Sequence, residues 1–401
     1  MRIGMVAWSF YPRIGGSVTA VIQLAESLVR RGISVDIVAP LLKRDMGKIP
    51  ALDIDERISV HWVISSSARS YSDFYSRTIF LFKMVLKIRK ISKFVDIFHA
   101  HDFNIGVFSA IIGAGKRPVV GVFGADPLFE AFNYKRIKCL GYDAFLKSGI
   151  VKLVQKAVKI FFALVSKDRF VVVSLSKVMD QEVKRYCSCP TANIPPGVNL
   201  NLYAADGFAR SRAKKVILVV SRFVCWKGID AAVDIFRRVK ELINNVEMVC
   251  AGEGPLARHY LDKYGNLRGV KFVVGLDHRK IAEYYMDSDI FLVTSAYETF
   301  GMAVTEAMAA GLPIVASDLK VFRDRLINNV NCYLVREGEV NIFSERILEL
   351  LNNPGIGKRF AASSLKIAED YGMDKIADAH VDFYQELLRS GGAGKTAYTH
   401  K

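Results

Sequence analysis

The sequence predicts an α/β protein with two doubly wound parallel sheets. Three observations predict this fold. Short apolar runs alternate with helical stretches, the alternation restarts near the middle of the chain, and 401 residues with 51% hydrophobic content suffice for two cores. Such alternation implies a mostly parallel sheet covered on both faces, whose ligands bind in the loops at the carboxyl ends of the strands.

The first half of the chain is predicted to form an N-terminal domain, residues 1–200. Its first strand leads into a helix at residues 17–31. The predicted strands are residues 2–8, 33–39, 95–100, 118–122 and 170–174. A sharp Pro-Pro-Gly turn and a polar stretch then mark a domain boundary near residues 196–212.

The second half repeats the pattern in a C-terminal domain, residues 201–372. Its predicted strands are residues 216–221, 246–251, 270–274, 290–294 and 314–317. A last helix within residues 373–390 is expected to pack back on the N-terminal domain. Residues 391–401 are expected to form a flexible tail.

The charge of the chain is unevenly distributed. Its net charge is +16, and residues 1–200 hold 29 of the 56 Lys and Arg residues but only 15 of the 40 Asp and Glu residues. We therefore expect the N-terminal domain to meet an anionic partner. Nucleic acid is not expected, because no helix-turn-helix, zinc or RNP-type motif focuses this charge.

Two basic stretches favour an anionic membrane surface as that partner. Residues 74–94 and 147–167 carry apolar side chains at helical spacing with Lys and Arg between them. The alternative for residues 74–94 is a helix with its apolar face in the core and its basic face in water. No apolar stretch is long and uncharged enough to span a bilayer.

The expected location is the cytoplasm, peripheral on the inner face of the cell membrane. The run at residues 1–8 is typical of a first strand rather than of a signal peptide. The six cysteines include no zinc-like pair and are interpreted as reduced thiols. No metal site is predicted.

Two loops that follow predicted strands carry groups suited to a diphosphate. The first contains Gly15 and Gly16 before a helix, and glycines let backbone amides approach a phosphate closely. Arg222 and Lys227 share the loop after the first strand of the second domain and would neutralise phosphate charge. Each feature also has a simpler interpretation, as a tight turn or as surface charge.

The most informative region is a loop that leads into a helix. Glu298 lies in the loop and Glu306 within the helix. The start of the helix presents the amides of Gly301, Met302 and Ala303, which suit a phosphate, and both carboxylates border that end. Carboxylates there would accept hydrogen bonds from sugar hydroxyls. The alternative is a pair of solvated helix charges.

In this order, on a two-sheet chain, these segments resemble the retaining GT-B glycosyltransferases of family four (glycosyl transferases group 1). The resemblance covers about residues 1–390 and is strongest over residues 216–313. It rests on Gly15-Gly16, on Arg222 with Lys227, and on Glu298-Thr299-Phe300-Gly301 with Glu306. It implies the GT-B architecture, two Rossmann-like domains that face each other across a cleft.

The resemblance also implies a reaction. A sugar would move from a nucleotide-diphosphate sugar, UDP- or GDP-linked, to an acceptor such as a lipid-linked or cell-envelope glycan. Anomeric configuration would be retained, with neither a metal nor another cofactor. The implied catalytic residues are Glu298, Arg222 and Lys227, and the implied donor-binding residues are Gly15, Gly16, Gly301, Met302, Ala303 and Glu306.

The chain departs from the family pattern at two places. Members often have a His-Gly pair after the fifth strand with an acid two residues on, whereas here Phe123 replaces the histidine and Asp126 remains. We interpret Asp126 and His101 as candidates for the acceptor or donor-sugar side. Residues 321–325 replace the Gly-Gly and glutamate that relatives often show, which weakens any inference about the sugar.

Two other functions stay open from the sequence. One is a nucleotide-sugar epimerase on the same fold, which would consume the donor without an acceptor. The other is a non-catalytic protein that binds a nucleotide sugar or a membrane. Phe123 favours the non-catalytic alternative, whereas the paired cations and paired glutamates of the second domain oppose it.

Overall fold

The computed structural model describes residues 1–8, 10–11, 16–48, 54–68, 74–101, 105–123, 169–186, 189–203, 214–276 and 278–391. The chain divides into two compact units. Unit 1 comprises Met1–Gly197 together with Met373–Lys401, and unit 2 comprises Val198–Gly372.

Unit 1 is built on a seven-stranded parallel sheet with the order β3-β2-β1-β4-β5-β6-β7. Its strands are β1 (Arg2–Val6), β2 (Ser34–Leu42), β3 (Ile58–Ser65), β4 (Ile97–Ala100), β5 (Val119–Phe123), β6 (Phe170–Ser174) and β7 (Thr191–Asn193). The five predicted strands are confirmed. The edge strands β3 and β7 lie outside the prediction, because β3 is only partly buried without clean alternation and β7 has three residues.

The helices of unit 1 cover both faces of this sheet. In the described ranges before the second unit, they are α1 (Gly16–Arg30), α2 (Phe74–Ile91), α3 (Ile105–Gly113) and α4 (Lys177–Tyr186). Helix α2 buries Phe80, Met84 and Ile88 completely in the core beneath the sheet. This apolar face is therefore packed in the core, as the core-facing interpretation expected. The second basic stretch, residues 147–167, lies outside the described residues.

Unit 2 is built on a six-stranded parallel sheet with the order β10-β9-β8-β11-β12-β13. Its elements are β8 (Lys215–Val220), α5 (Ile229–Leu242), β9 (Val246–Gly252), α6 (Ala257–Tyr264), β10 (Val270–Val274), α7 (His278–Met286), β11 (Ile290–Val293), α8 (Met302–Ala309), β12 (Ile314–Ser317), β13 (Cys332–Val335), α9 (Val340–Asn352) and α10 (Pro354–Ala368). The predicted strands are again confirmed, and only the short edge strand β13 is additional. Because the order reverses between β8 and β11, a crevice opens at their carboxyl ends.

The last helix, α11 (Met373–Arg389), belongs to unit 1. Phe383, Tyr384 and Leu387 join the core that α1 also covers. At the surface, Arg31 donates a hydrogen bond of 2.5 Å to Asp378. Helix α11 therefore closes unit 1 although it follows unit 2 in the chain.

The cysteines are not all reduced thiols. Cys189 and Cys225 are disulfide-bonded, so the expectation is wrong for these two. Cys250 and Cys332 are buried free thiols, and burial raises the pKa of each to about 12. The error has a physical reason, since pairing depends on which loops the fold brings together.

Within the described ranges, every helix is too short or too polar to cross a bilayer.

Candidate functional site

The charged loops of unit 2 meet because β8 and β11 are neighbouring parallel strands. Lys227 lies on the loop after β8 and Glu298 on the loop after β11. The Nζ atom of Lys227 lies 2.5 Å from Oε1 of Glu298, and the side chains are only 17% and 11% exposed. The hydroxyl of Ser295 donates to the same carboxylate oxygen at 3.0 Å. The fold thus joins a cation and an acid that are 71 residues apart.

A glycine lets the loop that carries Lys227 approach the end of β11. Gly228 has φ of +68°, and a Cβ atom there would lie 2.3 Å from the carbonyl oxygen of Thr294. The hydroxyl of Thr294 donates to the carbonyl of Gly228 at 2.8 Å. Only a residue without a side chain allows this contact. The contact holds Lys227 over the carboxyl end of the sheet.

The second glutamate is buried and held in place. Glu306 is 6% exposed, and its Oε2 atom accepts a hydrogen bond of 2.8 Å from the hydroxyl of Tyr285 on α7. Burial, and then the charge of Glu306, raise the pKa of Tyr285 well above its usual value, so its hydroxyl stays a donor. Tyr203 packs edge-on against Tyr285 with 5.6 Å between ring centroids. This packing fixes the orientation of the carboxylate.

The start of α8 presents free backbone donors. Gly301 has φ of +84° and caps the helix, and a Cβ atom there would lie 2.7 Å from the ring of Phe322. Among the described residues, the amides of Gly301, Met302 and Ala303 donate no hydrogen bond. Unpaired amides at a helix start, with the favourable helix dipole, suit an anion. These donors lie on the same loop and helix as Glu298 and Glu306.

Arg222 shares the loop of Lys227, but its side chain is exposed. The guanidinium of Arg222 forms no hydrogen bond or ion pair with any part of the chain that the structure describes. The structure therefore joins Lys227 to Glu298 and leaves Arg222 as a cation at the rim.

One residue near this site is absent from the predicted set. The guanidinium of Arg325 donates to the carbonyl oxygens of Phe300 and Gly301, the two residues just before α8. The sequence offered a signal, because residues 321–325 depart from the family pattern. A charged residue in a stretch between two strands gives no indication of burial, however, and Arg325 is 1% exposed.

The predicted residues of unit 1 are only partly described. Gly15 and Asp126 lie outside the described residues. Gly16 begins α1 and is exposed. His101 follows β4, which is the neighbour of β1 at the point where the strand order reverses. The position of His101 is therefore that of a ligand-facing residue in a doubly wound sheet.

Three histidines cluster at the end of β4. The rings of His99 and His101 lie 4.2 Å apart, and that of His380 on α11 lies 5.4 Å from His99. The Nδ1 atom of His99 is 2.5 Å from the hydroxyl of Tyr384. Burial lowers the pKa of His101 to about 3 and that of His99 well below its usual value. His99 and His101 are therefore neutral at physiological pH.

No group of three His, Cys, Asp or Glu side chains suited to a metal ion occurs in the described part of the chain. The Nε2 atoms of His99 and His101 are buried without a partner there.

Comparison with solved structures defines the fold class. The model superposes on sucrose-phosphate synthase of Thermosynechococcus elongatus with a TM-score of 0.77 and 20% identity, over 97% of this chain and 99% of that one. Such structures are GT-B glycosyltransferases. The two doubly wound units are therefore a GT-B fold.

Comparison of sequences defines the family. A family model described as Glycosyltransferase Family 4 matches residues 14–202, and one described as Glycosyl transferases group 1 matches residues 207–366. An uncharacterized glycosyltransferase of Methanocaldococcus jannaschii is 25% identical over 98% of this chain and its own full length. The α-monoglucosyldiacylglycerol synthase of Acholeplasma laidlawii is 24% identical over 97% of this chain and 98% of its own. The chain belongs to the group 1, family 4 glycosyltransferases.

Proposed function

We propose that this glycosyltransferase moves a sugar from a UDP- or GDP-linked donor to a lipid-linked or envelope glycan acceptor, with retention of anomeric configuration. The observation that carries the proposal is the Lys227–Glu298 pair beside the free amides at the start of α8. A cation, a set of amide donors and two held carboxylates are the groups that a diphosphate and two sugars require.

The diphosphate binds to Lys227, to Arg222 and to the amides of Gly301, Met302 and Ala303. A diphosphate oxygen competes with Glu298 for Lys227, because the ammonium gains more from the multiply charged ligand. Glu298 is then released from its ion pair and accepts hydrogen bonds from hydroxyls of the donor sugar. The ion pair thus keeps both charges compensated until the donor arrives.

Glu306 binds the ribose of the donor. Its carboxylate is held from one side by Tyr285, which orients it for two neighbouring hydroxyls. A carboxylate has about four lone-pair sites, and the bond to Tyr285 occupies one of them. We also propose that Gly15 and Gly16 bind the donor through their backbone amides, as the family resemblance implies.

The transfer proceeds by attack on the face that the leaving group departs from. The bond between C1 of the sugar and the phosphate oxygen breaks, and C1 bonds to the acceptor oxygen on that face. The acceptor proton passes to the departing phosphate oxygen. Negative charge grows on the diphosphate, and Lys227, Arg222 and the α8 amides stabilise it. These groups supply the neutralisation, so we propose that the reaction needs no metal.

The acceptor is proposed to bind unit 1. His101 and Asp126 are its candidate contacts, and the neutral imidazole of His101 suits a hydroxyl rather than a charged group. The relative from Acholeplasma laidlawii is named for a glycolipid product, which supports a lipid acceptor.

A membrane contact through α2 accords with a lipid acceptor. The outer face of α2 exposes Tyr75, Phe82 and Leu86, which are 61%, 67% and 47% exposed and share one side of the helix. Phe94 just beyond is 67% exposed. Basic residues surround this apolar stripe: Lys83, Lys87, Arg89, Lys90 and Lys93. We propose that the stripe inserts into an anionic leaflet on the cytoplasmic side.

We propose a cytoplasmic location on the basis of the basic surface of the protein rather than its cysteines. Two of the cysteines are disulfide-bonded, so cysteine content no longer favours a reducing compartment. The support that remains is the basic surface, which matches the negative charge of a cytoplasmic leaflet.

Calorimetric titration with UDP and GDP tests the donor site. Wild-type protein is expected to bind one of them, and Glu306→Ala is expected to weaken that binding about 30-fold, because two charge-assisted hydrogen bonds are lost. Glu349→Ala is the matched control, since Glu349 is a glutamate paired with Arg346 in the same unit. Wild-type protein that binds neither nucleotide contradicts the proposal.

Vesicle sedimentation tests the membrane contact. Wild-type protein is expected to bind vesicles that contain about 30% phosphatidylglycerol, because such vesicles carry a negative surface potential. Phe82→Ser with Leu86→Ser is expected to reduce binding about tenfold through lost apolar insertion. Leu242→Ser, at a residue 72% exposed in unit 2, is the control. Equal binding to neutral vesicles would remove the electrostatic argument.

A further inference from the structure

Arg325 is a charged residue inside unit 2 with no acidic partner. It is 1% exposed, and no carboxylate forms an ion pair with it among the described residues. Its Nε atom is buried without a hydrogen-bond partner there. Burial lowers the pKa of Arg325 to about 10, so it still carries its charge at neutral pH. A buried charge without a counter-ion is costly, which calls for a functional reason.

The contacts of Arg325 converge on the loop before α8. Its Nη2 atom donates to the carbonyl of Phe300 and, at 3.3 Å, to that of Gly301. Its guanidinium carbon lies 3.9 Å from the centroid of the Phe300 ring. Its Nη1 atom donates to the carbonyl of Val321 at 3.3 Å. The side chain therefore holds two consecutive peptide groups from one side.

Each of these two peptide groups also contains one of the free backbone amides of the donor site. In a trans peptide the C=O and the following N–H lie in one plane and point in opposite directions. The carbonyl of Phe300 shares its peptide with the amide of Gly301, and the carbonyl of Gly301 shares its peptide with the amide of Met302. Arg325 on the carbonyl side thus directs both amides away from itself. A cationic donor on a carbonyl also polarises the peptide and strengthens its N–H as a donor.

We propose that Arg325 is a positioning residue for the donor diphosphate, which it aids by orienting and polarising the amides of Gly301 and Met302 and by placing a positive charge behind them. The inference rests on the proposed donor site. A diphosphate at those amides would compensate the unpaired charge of Arg325. Burial is the largest effect on the pKa of Arg325 and lowers it, whereas the charges of Tyr371 and then Glu298 oppose that shift, so the field of Arg325 extends toward the site.

Two substitutions at residue 325 test this role by calorimetry with UDP and GDP. Arg325→Gln removes the charge and is expected to weaken the better-bound nucleotide about tenfold. Arg325→Lys keeps the charge but loses the planar fork, and about threefold weaker binding is expected. Arg346→Met is the control, because Arg346 also lies over an aromatic ring, that of Tyr333, but is 43% exposed. Melting temperatures are measured in parallel.

The outcomes separate the two proposals. A folded Arg325→Gln or Arg325→Lys variant with wild-type affinity overturns the role of Arg325, even if its melting temperature falls. An equal loss in Arg346→Met overturns it as well. Wild-type protein that binds neither nucleotide overturns the donor site itself. If neither variant at residue 325 folds, glycine-selective 15N NMR of wild-type protein decides. The Gly301 amide must shift when the nucleotide is added, and an unmoved signal overturns the inference.

Discussion

In unit 2 the carboxyl end of β11 leads to the charged pair Lys227–Glu298, whereas in unit 1 the carboxyl end of β4 leads to the neutral His99 and His101. The two strands hold equivalent places, since each is the neighbour of the first strand of its sheet. The same topological position therefore carries opposite electrostatics.

The difference follows from what covers each strand end. In unit 1, α11 packs its aromatic residues over β4, and burial removes the histidine charges. In unit 2 the loops after β8 and β11 face each other with opposite charges, so each ion is compensated while partly buried. We infer that unit 2 is suited to a charged donor and unit 1 to an uncharged acceptor hydroxyl.

The largest expected effect comes from neutralising the acid of the ion pair. Glu298→Gln is expected to lower kcat about 100-fold while it changes the affinity for UDP or GDP less than threefold, because the lost charge faces the sugar in the transition state. Steady-state kinetics and calorimetry measure the two quantities, with Glu349→Gln as control. Normal turnover of the Glu298→Gln variant would show that the charged strand end of unit 2 has no role in the reaction.

The neutral, buried His101 is expected to make the stability of the fold depend on pH, with an effect of intermediate size. His101 has a pKa of about 3 when folded and about 6.5 when unfolded, so the unfolded state binds more protons between these values. Stability is therefore expected to be fully present above pH 6.5 and to fall by about 1 kcal/mol per pH unit as the pH drops toward 3.

Urea unfolding at pH 7 and pH 5 checks this pH dependence. His101→Asn is expected to reduce the loss of stability between the two pH values. His259→Asn, at an exposed histidine of α6, is the control and should leave it unchanged. An identical pH dependence in wild-type protein and in His101→Asn would mean that His101 contributes no more to it than an exposed histidine does.

The smallest expected effect concerns the support of Glu306. Tyr285→Phe removes one hydrogen bond to its carboxylate and is expected to weaken UDP or GDP binding about fivefold, equivalent to about 1 kcal/mol. Tyr264→Phe is a close control, because the hydroxyl of Tyr264 donates to Asp230 at 2.7 Å in the same unit. Equal effects of both variants would assign the loss to general packing.

Much of this architecture is predictable because its signals are local. Apolar runs of four or five residues predict the central strands, as at β8 and β11, since a strand buried on both faces reads as a continuous apolar segment. The edge strand β3 escapes prediction, because its exposed and half-buried residues interrupt that signal. The residues Lys227, Glu298 and Glu306 are recognisable because their spacing around glycine turns is local too.

Periodicity and short motifs depend on neighbours in the chain, so the two doubly wound sheets, the family and the charged loops can be read from the amino-acid sequence. Three contacts are visible only in the folded chain: Lys227 pairs with Glu298, Tyr285 holds Glu306, and Arg325 lies buried behind α8. These pairings join separate loops and helices. Burial and proximity arise only when the sheet brings its strand ends together, and those two quantities set the charge and orientation of each side chain.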